Sequence, residues 1–235
     1  MTTCLSFDCR RFTALVSLLV IGAVLSSAAC SNDVIRREVA ASLTDEVVVP
    51  SYEATAAAAN ELHVSIERLQ DNPTSASLTD ARAAWRRARS AWSRVQAYSF
   101  GPVMERRIPS LVSWWPISPA KIDETLTRDS ITAEVVRESF AADQRGFGAI
   151  EYLLFADDDA VLGQLESGSS AFGQYLTSLA AVIADAIQQA ADDWSGAYGD
   201  AFAGRGDRVI AERLAIADFV RVPVFLIETI GDMQL

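Results

Sequence analysis

A chain of 235 residues, half of them hydrophobic, can bury one sizeable core or two small ones, and its few glycines and prolines argue against a long disordered region. A net charge of −11 argues against non-specific nucleic-acid binding. His63 is the one histidine, which excludes a His-rich zinc site and a Ser-His-Asp triad with a spare imidazole.

The first 29 residues read as a signal peptide. Arg10 and Arg11 form a basic start, residues 12–25 are an apolar stretch too short for a typical membrane span, and Ser26, Ser27, Ala28 and Ala29 precede Cys30. Small residues before a cysteine suit a bacterial lipoprotein cleavage site, although Ser27 stands where an aliphatic is usual. Export without lipid, by cleavage after Ala29, is the alternative. Cys4 and Cys9 leave with the signal, so Cys30 is the lone thiol of the mature chain, at its first residue. That placement favours acylation over a disulfide role. Residues 30–50 are then a lipid-anchored lead into the first helix, and residues 51–235 form the folded domain. The expected location is the cell envelope, periplasm-facing, on the outer membrane where there is one.

The periodicity after Cys30 is helical throughout. Tyr52, Thr55, Ala59, Leu62, Ile66 and Leu69 recur in steps of three and four, so they share one helix face, and Asp71, Asn72 and Pro73 end it. Thr79 is the expected N-cap of the next helix, whose stripe is Ala81, Ala84, Trp85, Ala88, Ala91, Trp92 and Val95, with Gly101 and Pro102 as the stop. Residues 101–120 read as irregular, with Pro109, Pro116 and Pro119 close together. A short helix is expected near 122–126 and a longer one over 132–155, ended by Asp157, Asp158 and Asp159, because carboxylates at a C-terminus oppose the helix dipole. Phe172, Leu176, Leu179, Ile183, Ile187 and Trp194 mark a long helix closed by Gly196 and Gly199. A last helix is expected over 207–230, kinked at Pro223. The fold class is all-α: an antiparallel bundle of about five long helices with an irregular Pro/Trp-containing segment.

Three stretches invite chemistry. Trp85 and Trp92, seven residues apart, fill a core before they stack a ligand; Arg82, Arg86 and Arg89 between them pair with carboxylates of a neighbouring helix, or lie in solvent, before they hold an anion. The segment from Phe100 through Trp114 and Trp115 to Asp123 either plugs the bundle end or walls a pocket. In the run from Arg145 to Phe155, Phe147, Glu151 and Leu154 fall near one helix face, which predicts a Glu151 at least half-buried, and therefore paired, protonated or metal-bound. A buried Glu–Arg bridge with tight helix packing at Gly146 and Gly148 is the structural reading; a functional carboxylate is the other.

That third run resembles the motif of the imelysin family, Gly-x-His-x-x-Glu followed by an aromatic and two leucines. The Ala/Trp-rich helix at 81–95, Phe-Gly-Pro at 100–102, Trp-Pro at 115–116 and the apolar run at 224–230 extend the resemblance over most of the mature chain. Gly146 matches the motif glycine and Glu151 its glutamate, but Gly148 stands at the histidine position. The family is classed among metallopeptidases and linked to iron acquisition, and without that histidine metal-assisted hydrolysis lacks its expected ligand. His63 substitutes only if the fold brings it near, and its place beside the first helix's apolar face suits a structural histidine better.

The resemblance therefore implies an exported, imelysin-like lipoprotein, a non-catalytic binding component in iron or haem acquisition. Its partners would be the membrane, through Cys30, and an iron or haem transport protein. Any metal would be held by oxygen donors, which suits a hard ion such as ferric iron. Glu151 is the first ligand named, with Asp123 and Glu105 of the irregular segment as possible neighbours. A metal-dependent peptidase using Glu151 as general base and a helical interaction module without ligand are the rival readings. Family members usually continue into a second helical half, with the presumed site between the halves. The chain reads as C-terminally short of that, with an exposed apolar patch expected on the last helix and near Glu151.

Overall fold

The computed structural model describes residues 36–166 and 170–205. The expected signal peptide, Cys30 and the expected helix over 207–230 lie outside the described residues. Those described form helices and connections, with no strand among them.

Three long helices make the frame: α1 (Val49–Asp71), α2 (Ser75–Val95) and α9 (Ser170–Ser195). Of the about five long helices expected, three stand among the described residues, the one over 132–155 is broken, and the one over 207–230 lies outside them. Residues 36–42 and a π-helical turn, Leu43–Val48, run straight into α1. The α1 stripe read from the sequence is buried: Tyr52, Thr55, Ala59, Leu62, Ile66 and Leu69. The connection at 72–74 is too short for anything but an antiparallel hairpin, so α2 runs back along α1 and Arg87 of α2 bonds Glu61 of α1 at 2.6 Å. On the other side of α1, α9 is antiparallel too. Thr177 donates to Gln70 near one end (2.5 Å), and Trp194 stacks on Tyr52 at the other (centroids 6.3 Å apart).

The N-cap of α2 is Thr74, not Thr79. Thr74 has extended backbone, its hydroxyl accepts from Ser77 N–H (3.2 Å), and Ser77 Oγ accepts from Thr74 N–H (3.0 Å). This reciprocal box satisfies the first free donors of the helix. Thr79 lies inside the helix and donates to the Ser75 carbonyl instead (2.8 Å).

Short helices cover the sides. They are α3 (Pro102–Glu105), α4 (Ile108–Val112), α5 (Pro119–Thr125), α6 (Ala133–Glu138), α7 (Phe147–Leu154), α8 (Asp158–Glu166) and α10 (Ala197–Phe202). Five sequence expectations change here. Gly101 and Pro102 do not merely stop α2, which ends at Val95; Pro102, with its preset φ, opens α3. The segment expected to be irregular thus holds α3, α4 and the start of α5. The helix expected over 132–155 is broken into α6, a 3-10 turn at Ala142–Gln144 and α7, because Ala141 and Arg145 are extended and Gly146 takes φ = 82°, none of which a helix can contain. Asp157 to Asp159 do not end a helix against its dipole; they begin one. Asp157 Oδ1 accepts from the N–H groups of Asp159 (3.1 Å) and Ala160 (3.2 Å), where negative charge is favourable. Finally, Gly196 alone closes α9, while Gly199 is inside α10.

The core reading of the two tryptophans holds. Trp92 is fully buried and Trp85 nearly so, and their indole N–H groups donate to Ser113 Oγ (2.9 Å) and the Phe147 carbonyl (3.1 Å). Helix α2 is thereby tied to the end of α4 and to the first residue of α7. The segment after α2 plugs one end of the bundle through Phe100, whose ring meets Trp194 edge-on at 5.1 Å and Phe202 at 5.5 Å. Trp114 and Trp115 take no part in that plug.

Candidate functional site

The motif run occupies α7 and the residue before it. Gly146 must be glycine twice over. Its φ of 82° is unsuited to a side chain, and a Cβ there would sit 2.6 Å from the Val112 carbonyl oxygen. This close approach sets the start of α7 against the end of α4. Arg145, just before it, donates to the carbonyls of Arg137 (2.8 Å), Val136 (3.4 Å) and Ser110 (3.4 Å), joining the ends of α6 and α4. Burial there pushes its guanidinium down, with the charge of Glu138 acting in the opposite sense. The far end of α7 is held by Arg82 of α2, which donates to the Leu154 (2.8 Å) and Ala156 (2.9 Å) carbonyls and pairs with Asp158 (2.6 Å). Arg82 and Arg86 both lie over the Phe155 ring, and Arg89 over that of Phe147, at 5.0–5.9 Å. Of the arginine stripe, among the described residues only Arg82 has a carboxylate bonded to it from a neighbouring helix.

Phe147, Ala149, Ile150, Leu153 and Leu154 are the buried face of α7. At about 100° per residue these span an arc that begins at Ala149 and ends at Phe147; Glu151 falls roughly 40° beyond Phe147. The expectation of an at least half-buried Glu151 is therefore corrected: it is exposed. Phe147 and Leu154 lie toward one edge of the buried arc, so sharing a side with them places Glu151 beyond that edge. Glu151 shares the outer arc with Gly148 and Tyr152, so both chemically informative positions of the motif face outward. Its charge acts on Arg89, whose guanidinium is pushed down by burial and drawn back up by Glu151.

Gly148 is not an empty place. A Cβ built on it would meet Ile117 Cγ2 at 2.6 Å and approach the Trp114 carbonyl oxygen at 4.0 Å. The side chain of Ile117, from the segment before α5, thus fills the room that a residue at 148 would need. Asp123 of α5 does come to this face, but its partner is Tyr152, which donates to Oδ1 at 3.0 Å and Oδ2 at 3.2 Å. That bond, then burial, raises the Tyr152 phenol. Glu105 is not brought here by any contact; it lies on α3 beside Arg106, which bonds Asp193 near the end of α9 (2.7 Å). His63 stays on α1, one turn from Glu67 (3.6 Å). Among the described residues no group of three His, Cys, Asp or Glu is placed to hold a metal ion. The donors present do not fit a His/Glu metal pair: position 148 offers no ligand, and Ile117 holds its space.

Tyr152, next to Glu151, is 37% exposed, and Trp114, whose carbonyl oxygen lies 4.0 Å from a Cβ built on Gly148, is 48% exposed; the last helix, where the other part of the apolar patch is expected, lies outside the described residues. The sequence reading overlooked Tyr152 and Ile117. Taking Ile150 and Leu153 as the buried centre of α7 would have put Tyr152 on the outer arc; nothing in the sequence announces the packing of Ile117.

Comparison with known proteins agrees with the helical fold. A crystal structure described as an iron-regulated protein A precursor from Parabacteroides distasonis superimposes with a TM-score of 0.59 at 22% identity, over 72% of this chain and 50% of that one. An imelysin-like protein from Psychrobacter arcticum 273-4 superimposes with a TM-score of 0.50 at 20% identity, over 69% of this chain and 55% of that one. Both share the helical fold. In sequence, iron-regulated protein A of Synechococcus elongatus is 36% identical over 118 residues, half of this chain and 31% of the relative. The chain thus spans about a third of that relative and about half of each solved structure. The family model for Imelysin matches residues 48–234, nearly all of the chain after the π-helical turn, and the chain belongs to the imelysin family.

Proposed function

We propose that this imelysin-family chain is exported, anchored to a membrane by acylated Cys30, and acts as a non-catalytic binding component in iron or haem acquisition. The observation that carries the non-catalytic part is the filled space at Gly148. The family motif puts an imidazole one turn before its glutamate; here a glycine stands there and the Ile117 methyl occupies the room. Support for a role in iron comes from the family and from relatives named as iron-regulated. The relative called a precursor and the Arg10–Cys30 run support export. The carboxylates of this face are Glu151, exposed on α7, and Asp123, which accepts from Tyr152, and oxygen donors suit a hard ion such as ferric iron better than zinc.

The test is calorimetric titration of the purified protein with ferric citrate, haem and zinc, beside the double variant Gly148→His with Ile117→Ala. The wild type is expected to bind iron or haem and to leave zinc and a denatured protein substrate untouched. The variant, with histidine and glutamate one turn apart, is expected to gain zinc affinity of about tenfold or more. Zinc-dependent proteolysis by the wild type, lost on Glu151→Gln, would establish the peptidase reading instead. For the anchor, Cys30→Ser should move the protein from the membrane to the soluble periplasmic fraction; a wild type already soluble there would refute acylation.

A further inference from the structure

The α1–α2 hairpin carries a groove of about 650 Å³ on the outer side of its seam. Ser51, Ala54 and Ala58 line it from α1, and Arg87, Ser90 and Arg94 from α2, in both cases at steps of three and four. Helices pack at about 8–10 Å, so small residues along both ridges leave a trough between them. The trough is closed at one end, because the antiparallel register sets Arg87 against Glu61 and the two bond at 2.6 Å. Pro50 and Val95 line the other end. This is a different face of α2 from the one that carries Trp85 and Arg89 against α7.

The charge of the groove is opposite to that of the chain. The chain carries a net −11, yet the lining holds Arg86, Arg87 and Arg94 and no carboxylate. Arg87 is matched by Glu61. Arg94 is exposed, and no described carboxylate is bonded to it or to Arg86, whose guanidinium is steadied 5.0 Å from the centre of the Phe155 ring. Arg94 thus stands beside an alanine floor with no described anion bonded to it. A concave site of this size, mostly apolar with a few convergent polar groups, is the usual form of a small-molecule site.

We propose that this groove binds a small anionic amphiphile. The apolar body lies over Ala54, Ala58 and Ala91, and the carboxylate, sulfonate or phosphate is held by Arg94. A trough closed by an ion pair suits a soluble molecule rather than a lipid surface, which would need a convex approach. The inference stands apart from the motif face and needs no metal.

Anilinonaphthalene sulfonate, an apolar ring system with one anionic group, is the probe. Titration of the purified protein, followed by fluorescence, should saturate at one site. Arg94→Glu and, independently, Ala54→Phe, which fills the groove, should each weaken binding by about tenfold. The reversed charge at exposed Arg94, in the last turn of α2, should lower the thermal midpoint by no more than about 4 °C, which separates loss of site from loss of fold. Decanoate should displace the probe, and decylamine, with the same chain and the opposite charge, should not. Equal binding by wild type and Arg94→Glu, or equal displacement by decylamine, overturns the proposal. So does an Arg94-dependent affinity confined to phosphatidylglycerol vesicles, which would make the source a membrane surface.

Discussion

At position 146 the backbone and a neighbouring carbonyl make the same demand. Gly146→Ala would hold a methyl at φ = 82° and 2.6 Å from the Val112 oxygen, and the backbone of α4 has no rotamer with which to yield. The expected loss is about 3 kcal/mol in urea unfolding, and a loss near zero would show that α4 and α7 can separate at no cost. Position 148 is different in kind. There the obstacle is an isoleucine methyl, which can turn aside, so the glycine reflects what Ile117 occupies rather than what the backbone requires. Sequence alone shows two glycines in a motif and cannot tell these roles apart.

Among the elements, α2 and α7 show how local signals succeed or mislead. The start of α2 depends on the box between Thr74 and Ser77, so Thr74→Ala should cost about 1 kcal/mol. Thr79→Ala should stay within about 0.5 kcal/mol, because Thr79 bonds only the Ser75 carbonyl within the helix. Reversal of that order in chemical denaturation would restore Thr79 as the cap. The apolar stripe of α2 is readable over 21 residues because six turns average out any error in phase. Helix α7 has eight residues, and over two turns a phase error of roughly 40° is enough to move Glu151 from the predicted interior to the surface.

For the whole molecule, stability at alkaline pH depends on two phenols. Burial pushes Tyr52 and Tyr175 well above the ordinary tyrosine range, and each hydroxyl donates to a carbonyl, Tyr52 to Tyr98 and Tyr175 to Gln144. A raised folded value means that the unfolded chain ionises first. The stabilisation is therefore complete below about pH 10 and declines as pH rises from there toward the folded values. The slope should approach about 1.4 kcal/mol per pH unit for each tyrosine. Equilibrium unfolding between pH 9 and 12 would measure it, and Tyr52→Phe with Tyr175→Phe should flatten the decline while lowering stability at neutral pH. A decline as steep in the double variant as in the wild type would assign the effect to other groups.

The sequence by itself determined the helical class, the buried stripes of α1, α2 and α9, the break at Asp71 to Pro73 and the family, through residues that repeat over many turns or stand together in one motif. Only the tertiary structure decided that Glu151 faces outward, that Asp123 belongs to Tyr152, that Glu105 lies elsewhere, and that Ile117 occupies the space at Gly148. The physical reason is the range of the information. Periodicity reports what one helix needs to bury, and it is strong where the helix is long. The site face is assembled from short helices joined by turns, where each orientation is set by contacts between residues tens of positions apart, such as Arg82 with Leu154 and Trp85 with Phe147.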